Sequence, residues 1–334
     1  MITFFLKKLR KIIKSIGKLE TTIIDKLILI NNKKRNNTKV LLKDGQFERF
    51  DNELNLNKNL PKKLIIVICF YYNSKKIKNL KKTLLNLSLL KFKKEVIILT
   101  NSLNIKQVKS LKKLQKIIKI KFVLNQISNL PENNLLPWYS LNIMKEKYKN
   151  HNNTHFMLIE DDISINVQNI KYWIFFRKIL KNFNLIPGFI RTEKYKKQTF
   201  SVDNPKKIYL NKLPKILTKS KNNGFVNSKY PYQAMYLMDR ELMKEFILSD
   251  AVNVDFSFTN KFMKSVYPIK ELSNISYAYI NIPNGFHNRL VAPFNKNKKI
   301  PQYCLIEHND IKYVKLKHFN KIGYGTIDIN KLLV

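Results

Sequence analysis

The sequence predicts an α/β protein with a mostly parallel central sheet flanked by helices. Between residues 64 and 159, apolar strand-like segments alternate with helical segments. These strands lack the apolar–polar alternation of a sheet with one solvated face, so both faces are expected to be covered. The apolar share of 44% and the aromatic share of 12% are ample for such a core. Ligands of parallel sheets bind at the carboxyl ends of the strands, so functional side chains are expected there.

The predicted elements of the parallel region follow one another with short connections. Pro137 is a favourable first residue for a helix because its fixed backbone angle suits that position. The periodicity predicts strands and helices in alternation, with strands at 64–72, 95–100, 118–124 and 155–159, and helices at 77–90, up to 116, 137–149 and 167–182.

Beyond residue 182 the pattern becomes mixed. We expect a strand at 187–193, hairpin strands within 199–209, a polar loop at 217–230, an apolar strand before a helix at 240–248, and short strands in the tail from 277 onward. This region is predicted to complete a domain spanning residues 61–334 and to bind the acceptor of the reaction inferred below.

Residues 1–60 are predicted to form a basic amphipathic helix followed by a linker. Apolar residues such as Phe5, Leu9, Ile12 and Ile16 recur at three- and four-residue steps, with lysines between them. The helix is expected to lie on an anionic membrane surface or to pack on protein. Residues 31–59 are polar and predicted as a linker with one short strand at 40–42. No cleavable signal peptide is evident, and no uncharged run reaches the ~20 residues needed to cross a bilayer.

The composition excludes several classes of protein. The formal charge of +40 favours anionic partners, yet the lysines are spread along the chain and arginine is scarce, so dedicated nucleic-acid binding is not expected. With 7 glycines, the chain has neither a P-loop nor a Rossmann glycine motif. Cys69 and Cys304 both fall in apolar strands and are predicted to be buried thiols.

Three adjacent acids end the predicted strand at 155–159. The apolar strand leads directly into Glu160, Asp161 and Asp162. Clustered carboxylates repel one another unless a cation or a proton transfer uses them. They are either an ordinary solvated strand end or a divalent-metal site for a phosphate-bearing substrate, since hard oxygen ligands suit Mg²⁺ and Mn²⁺. We favour the metal site.

The N-terminal α/β half of this chain, whose fourth predicted strand ends in these acids, resembles the A-fold (GT-A-like) glycosyltransferases. These enzymes use nucleotide-diphospho-sugars as donors. The family commonly has Asp-x-Asp where this chain has Glu-Asp-Asp. The resemblance extends over roughly residues 63–313. In several further segments the chain is similar to a bacterial subgroup of these enzymes. These are Phe70-Tyr71-Tyr72, Ile98-Leu99-Thr100-Asn101, Leu136-Pro137-Trp138, Tyr172-Trp173 through Arg177, the segment from Ile186 to Glu193, and Tyr232-Gln233-Ala234-Met235-Tyr236.

The resemblance implies a metal-dependent transfer of a sugar to a glycan or glycolipid acceptor such as a surface glycan. A divalent Mn²⁺ or Mg²⁺ ion would neutralise the nucleoside diphosphate leaving group as a Lewis acid. Asp162 is the expected metal ligand, and His308 resembles the late histidine that completes the metal site in many of these enzymes. Glu160 and Asp161 are expected to bind the ribose or the donor sugar.

The remaining candidate residues come from strand ends and apolar segments. Glu193 and Asp239 are candidate catalytic bases, although Asp239 also suits a helix cap and Glu193 an ion pair. The other expected roles are phosphate binding or ion pairing by Arg191 and Arg289, contact with the acceptor or packing in the core by Tyr232 and Gln233, and substrate contact by Tyr71.

Two other functions remain compatible with the sequence. One is a different Mg²⁺-dependent nucleotidyl or phosphoryl transferase that uses the same acids. The other is a non-catalytic basic protein associated with a membrane or nucleic acid. The favoured hypothesis is a cytoplasmic glycosyltransferase that is peripheral to the inner membrane.

Overall fold

A computed structural model describes residues 40–130, 136–228, 232–248, 289–316, 320–321 and 323–334 of the protein. The predicted amphipathic helix and the part of the tail before residue 289 lie outside these residues. The helices are α1 Gln46–Glu53, α2 Ile77–Ser88, α3 Ile105–Ile118, α4 Leu136–Lys149, α5 Val167–Leu180 and α6 Arg240–Leu248.

Fifteen strands are found in the described part of the chain. They are β1 Val40–Leu42, β2 Leu64–Cys69, β3 Lys94–Asn101, β4 Val123–Ile127, β5 His155–Glu160, β6 Ile163–Ser164, β7 Ile186–Pro187, β8 Ile190–Tyr195, β9 Gln198–Ser201, β10 Lys215–Thr218, β11 Gly224–Asn227, β12 Met235–Asp239, β13 Leu290–Phe294, β14 Leu305–His308 and β15 Ile327–Asp328.

The central sheet has the strand order β12-β5-β2-β3-β4. The pairs β5–β2, β2–β3 and β3–β4 are parallel, and β12 is added antiparallel to β5 at one edge. All six residues of β2 are buried, because this strand lies in the middle of the sheet and α4 packs on β2 and β3. The prediction of a mostly parallel sheet is therefore confirmed, with strands β2, β3 and β5 largely buried, whereas the edge strand β4 has no buried residue and is not covered on both faces as expected.

Two further five-stranded sheets contain both parallel and antiparallel pairs. One has the order β1-β10-β11-β13-β7 and the other the order β15-β9-β8-β14-β6. The second positions the candidate site, because β14 pairs in parallel with β8 and antiparallel with β6, the short strand that follows the acid cluster. The protein is a mixed α/β fold with three sheets.

The segment predicted as a linker contributes to the core instead. Phe47 and Phe50 of α1 are buried and contact Phe176 on α5 at ring-centroid distances of 5.0 and 5.2 Å. The short strand predicted at residues 40–42 is present as β1, and it pairs in parallel with β10. A short amphipathic helix with only two apolar residues gives a weak periodic signal, which is why the sequence analysis missed it.

Two other boundaries differ from the prediction. The strand predicted at 118–124 is β4, and it starts only at Val123. The preceding helix α3 continues past the predicted residue 116 to Ile118 and ends where Lys119 adopts a left-handed conformation with φ 57°. The polar loop predicted at 217–230 contains an antiparallel hairpin of β10 and β11. Its turn is rich in Lys and Asn, which concealed the short apolar strands on either side.

Cys69 and Cys304 are both buried, as predicted, and neither takes part in a disulfide bond. The thiol of Cys304 donates to the carbonyl oxygen of Gly188 over 3.3 Å. Cys304 ends a short 3₁₀ turn directly before β14, so it lies just outside the strand in which it was expected. Within the described residues, no helix combines the length and apolar character needed to span a membrane.

Candidate active site

The acid cluster lies at the carboxyl end of the parallel strands. Glu160 is the last residue of β5, and Asp161 and Asp162 form the turn that leads into β6. The register of β2 against β5 places Cys69 opposite Glu160, so the loop that begins after β2 and contains the exposed Tyr71 starts beside the acids. Asp161 and Asp162 are only 6% and 4% exposed, although a solvated strand end would expose them. Two adjacent buried carboxylates require partners, and the surrounding residues supply them.

The structure brings His308 to Asp162. In the β14–β6 pair, His308 lies opposite Ile163, the residue directly after Asp162. The imidazole Nε2 atom of His308 is 3.2 Å from Oδ2 of Asp162, and its Nδ1 atom is 2.7 Å from Oε1 of Glu193. The imidazole is thus held between two carboxylates, one on each side of the ring.

Three buried polar atoms at this point have no hydrogen-bond partner. They are Oδ2 of Asp161, Oδ1 of Asp162 and Nε2 of His308. The Nε2 atom is within ion-pair distance of Asp162 but is not aligned for a hydrogen bond. Buried polar atoms are normally satisfied, so three unsatisfied ones in contacting or adjacent residues are unusual. Two carboxylate oxygens and an imidazole nitrogen are donors that suit Mn²⁺ or Mg²⁺.

The described side chains do not supply a complete set of metal ligands. Among the described residues, no group of three His, Cys, Asp or Glu side chains is arranged to hold a metal by itself. Mg²⁺ sites often use one or two protein ligands together with substrate phosphates and water. The residues present therefore fit an ion that is bound jointly with a phosphate-bearing ligand.

The ionisation of the cluster reflects burial and mutual contact. Burial, reinforced by the charge of Asp162, raises the pKa of Asp161 to about 7. Burial also acts to raise the pKa of Asp162, but the contact with His308 outweighs it and lowers this pKa to about 2. Burial acts to lower the pKa of His308, and the two neighbouring carboxylates reverse this and raise it. The site thus stabilises a positive charge between Asp162 and Glu193.

Glu193 holds His308 and a loop rather than facing a substrate. Its side chain has no exposed surface. Besides contacting His308, the carboxylate accepts hydrogen bonds from the backbone amides of Lys312, Tyr313 and Val314 at 3.2, 3.2 and 2.9 Å. Burial acts to raise the pKa of Glu193, but the contact with His308, together with the backbone hydrogen bonds, outweighs it and lowers this pKa. The prediction of Glu193 as a catalytic base is corrected, since its lone pairs are occupied by donors within the protein.

A second polar network fixes the backbone of the acid turn. The Thr83 hydroxyl lies 2.8 Å from the carbonyl oxygen of Asp161 and 3.0 Å from that of Ile163. The Asn309 amide nitrogen donates to the carbonyl oxygen of Asp162 over 2.6 Å, and its side chain donates to Thr83. Neither Thr83 nor Asn309 was predicted as a site residue. The position of Asn309 directly after His308 was the only available signal.

Arg191 is buried beside the acids but its guanidinium is already paired. Its Nε and Nη2 atoms bind the two carboxylate oxygens of Asp203 at 2.9 and 2.5 Å. The guanidinium also lies over the rings of Tyr232 and Tyr313, with centroid distances of 5.0 and 5.1 Å. The ion-pair alternative therefore describes Arg191, and the prediction of phosphate binding is corrected. Asp203, the partner, was not recognised from the sequence.

Tyr232 and Gln233 lie next to the site with different partners. The Tyr232 hydroxyl donates to Oε1 of Glu160 over 2.8 Å, which links the predicted acceptor segment to the acid cluster. Gln233 is buried, and its side-chain oxygen accepts from the backbone amide of Phe189 over 2.6 Å. Tyr232 is therefore placed to contact a ligand at the acids, whereas Gln233 supports the backbone.

Asp239 and Arg289 have structural roles away from the acids. Because β12 is antiparallel to β5, Asp239 pairs with His155 at the opposite end of the strand from Glu160. Its carboxylate accepts from the amide of Leu242 at the start of α6 and contacts Arg177, so the prediction of a catalytic base is corrected to a helix cap. Arg289 is paired with Glu245 on α6 and donates to the carbonyl oxygen of Asn184, which corrects the prediction of phosphate binding.

Comparison with known proteins gives a distant structural similarity. No protein-family model matches the chain, and no curated protein matches it. The chain is similar to a crystal structure of S. aureus TarS with a TM-score of 0.32 and 13% identity, over 55% of this chain and 29% of that one. It is also similar to the crystal structure of S. aureus TarS 1–349 with a TM-score of 0.35 and 13% identity, over 69% of this chain and 57% of that one. The matched region spans less than two thirds of either TarS chain.

Proposed function

We propose that the protein is a metal-dependent glycosyltransferase with a GT-A-like fold. It transfers a sugar from a nucleotide-diphosphate donor to a surface-glycan acceptor, with Mn²⁺ or Mg²⁺ as cofactor. The observation that carries this proposal is the set of three unsatisfied buried atoms on Asp161, Asp162 and His308 at the carboxyl ends of the parallel strands. A site of this kind at this edge of an α/β sheet is where an anionic nucleotide is expected to bind.

Asp162 and His308 are the residues proposed to hold the ion. Glu193 lies 2.7 Å from Nδ1 of His308 and can accept its proton-bearing N–H, so loss of the proton from Nε2 would free that nitrogen, which faces Asp162, as a ligand for the ion. When bound, the ion supplies Lewis-acid stabilisation of the diphosphate leaving group. Asp161, whose Oδ2 atom is buried without a partner, is proposed to bind the ion through water or to bind the donor ribose.

The rest of the site is proposed to bind and orient the sugars. The Tyr232 hydroxyl donates to Oε1 of the Glu160 carboxylate over 2.8 Å, and this hydrogen-bonded pair is proposed to contact the donor sugar. Tyr71 is 37% exposed in the loop after β2 and is proposed to pack on the nucleotide. Arg191 and Asp203 hold Tyr232 in place through the stacked guanidinium.

The basic segment at residues 2–30 is proposed to bind an anionic membrane surface, where a lipid-linked acceptor would be available. The enzyme would then be cytoplasmic and peripheral to the inner membrane. The alternation of apolar residues with lysines in the sequence supports this part of the proposal.

The test combines binding with product analysis. Thermal unfolding is measured with Mn²⁺ and a series of nucleotide sugars, because a ligand present at 100 times its Kd stabilises the folded state by about 2.7 kcal/mol. The donor identified in this way is then incubated with Mn²⁺, and the nucleotide product is identified. Release of a nucleoside diphosphate supports the proposal, whereas release of pyrophosphate would indicate a nucleotidyl transferase.

Two variants complete this test. Asp162→Asn is expected to abolish the joint stabilisation by metal and nucleotide sugar while the protein remains folded. Glu241→Gln is the matched control, because Glu241 is 63% exposed and lies on α6 away from the acids. If Asp162→Asn retains the full thermal shift and product release, the proposed site is wrong.

A further inference from the structure

An open groove with a volume of about 510 Å³ lies on the sheet of order β1-β10-β11-β13-β7. It is lined by β10, by the turn between β10 and β11, by the end of β13 with the turn that follows, and by residues 209–211 and Val334. None of these residues belongs to the acid cluster or contacts it through the bonds described above. The groove is therefore separate from the proposed active site.

The rim of this groove is cationic. Lys215, Lys221, Lys296 and Lys298 line it, and among the described residues no Asp or Glu side chain does. Lys221, Lys296 and Lys298 are exposed, and within the described residues they form no ion pair. In the first turn the Asp44 carboxylate accepts from the Ser220 amide and the Glu48 carboxylate contacts Asn223, so these two acids are bound to the turn on either side of Lys221. The groove thus has lysines without an ion-pair partner among the described residues on both sides.

The floor of the groove is apolar and aromatic. Leu217 and Phe294 are 7% and 5% exposed, and Tyr209 presents 44% of its surface. The ammonium group of Lys212 lies 4.8 Å from the Tyr209 ring centroid on the same segment. Ring faces of this kind pack against the C–H face of a sugar, and an apolar floor strengthens nearby charge–charge attraction by excluding water.

Internal hydrogen bonds fix both turns that carry the lysines. In the first turn, the Lys221 amide donates to the carbonyl oxygen of Thr218 over 2.9 Å, and Lys221 has φ 59°. In the second, the Lys298 amide donates to the carbonyl oxygen of Asn295 over 2.8 Å, and Lys298 has φ 56°. A lysine in the left-handed conformation costs about 1 kcal/mol relative to glycine. Each turn therefore fixes the backbone position from which its exposed lysine side chain extends.

We propose that this groove binds an acidic oligosaccharide whose sugar rings carry carboxylate or phosphate groups. The volume is within the range of ~300–1,000 Å³ that small-ligand sites occupy. The lysines would pair with the anionic groups, and Tyr209 would pack on a sugar ring. Lysine is the only cationic residue type that lines the groove, whereas base-reading sites favour arginine, so a glycan fits better than a nucleic acid. The proposal does not depend on catalysis at the acid cluster.

Titration calorimetry with the full-length protein at 0.15 M salt tests the proposal. The probes are trigalacturonate, which carries carboxylates, maltotriose 6-phosphate, which carries a phosphate, neutral maltotriose, and a single-stranded oligonucleotide of six thymidines. We expect at least one of the two acidic sugars to bind at least tenfold more tightly than maltotriose and than the oligonucleotide. The carboxylate and phosphate arms identify which anionic group the groove prefers.

The variants separate the groove from the general positive charge of the chain. The triple change Lys221→Gln, Lys296→Gln and Lys298→Gln should weaken binding of the acidic sugar at least tenfold. The matched control carries Lys109→Gln, Lys112→Gln and Lys116→Gln on the exposed face of α3, with the same loss of charge, and should change binding less than twofold. Tyr209→Ala should weaken binding at least threefold without any change in charge.

Three results would overturn the proposal. The first is that neither acidic sugar binds more tightly than neutral maltotriose. The second is that the groove triple variant and the α3 triple variant weaken binding equally, which would assign the effect to net charge. The third is that the oligonucleotide binds as tightly as the acidic sugars and loses its affinity only in the groove variant, which would assign the groove to nucleic acid.

Discussion

The Nδ1 atom of His308 lies 2.7 Å from Oε1 of Glu193, and the two residues are 115 positions apart in the chain. The same carboxylate accepts three consecutive backbone amides from residues 312–314. Glu193 therefore couples the orientation of the imidazole to the position of the loop that follows it.

Glu193→Gln should weaken Mn²⁺ binding by about 10–100-fold, because a carboxylate behind a metal-binding histidine fixes its tautomer and raises its basicity. Mn²⁺ affinity is measured in the presence of a nucleoside diphosphate, and the ¹⁵N chemical shifts of His308 report the tautomer. Glu307→Gln is the control, since Glu307 neighbours His308 but pairs with Lys82 and Lys194 at the surface. Unchanged Mn²⁺ affinity with an unchanged tautomer in Glu193→Gln would contradict the positioning role.

Asp203→Ala should destabilise the folded protein by about 3–5 kcal/mol, because it leaves the Arg191 guanidinium buried without its partner. The free energy of unfolding is measured in urea. Arg191→Met combined with Asp203→Leu should recover part of the loss, since the buried charge is then removed. Glu241→Gln breaks the exposed ion pair with Lys181 and the longer 3.8 Å contact with Arg177, which keeps Asp239, and it should cost less than about 0.5 kcal/mol. A loss below about 1 kcal/mol in Asp203→Ala would show that the pair contributes little.

Asp239→Ala should destabilise the protein by more than the about 1–2 kcal/mol of a lost helix cap, because the buried Arg177 also loses its 3.0 Å carboxylate partner, and turnover per folded molecule should stay within twofold of the wild type. Asp239→Asn, which keeps an oxygen that can accept from Leu242, should lose less stability. Urea unfolding and initial rates at a temperature where both variants are folded provide the measurements. A large fall in turnover for folded Asp239→Asn would restore the assignment of a catalytic base.

Stability should fall as the pH drops from about 6.5 to about 4, partly because of His155. Burial lowers the pKa of His155 to about 4, and this outweighs the opposing effect of Asp239. Between these pH values the unfolded chain binds a proton at this residue and the folded chain does not. The stabilisation is therefore present above about 6.5 and lost as the pH approaches 4, with a magnitude of about 2 kcal/mol.

The contribution of His155 is isolated by comparing variants. His155→Gln should reduce the loss of stability between pH 6.5 and 4, and His151→Gln at an exposed position should leave it as in the wild type. Urea unfolding at several pH values measures the difference. Parallel pH profiles for all three proteins would show that His155 titrates normally in the folded state.

Membrane association is predicted to reside in the segment before residue 40. A chain that begins at Val40 keeps β1 and the buried Phe47 and Phe50, whereas one that begins at Asn59 would remove part of the core. Co-sedimentation with anionic vesicles should fall sharply for the chain that begins at Val40, because each basic residue near the surface contributes ~1 kcal/mol. Equal sedimentation of the full-length and shortened chains would assign the effect to the overall charge.

The parallel sheet could be predicted because its strands are long, apolar and bounded by clear breaks, as in β2 and β5. The closeness of His308 to Asp162 was expected from the resemblance to the A-fold enzymes. For Glu193, Arg191 and Asp239 the sequence left a catalytic or phosphate-binding role and a structural role both open, because the choice depends on a partner that only the tertiary structure supplies. Each of the three side chains is already bound within the protein. Glu193 accepts from the amides of residues 312–314, Arg191 pairs with the Asp203 carboxylate, and Asp239 accepts from an amide at the start of α6.

The position of β14 between β8 and β6 has a consequence for the order in which the protein is made. A ribosome synthesises the acid turn and β8 long before it reaches Leu305–His308, so the emerging chain has its carboxylates exposed without the imidazole that pairs with them. A chain that stops before β14 would contain every strand of the central sheet. In the sheet of order β15-β9-β8-β14-β6, however, it would lack the strand that joins β8 to β6. The proposed ion site is thus incomplete until His308 has been synthesised, 146 residues after Asp162.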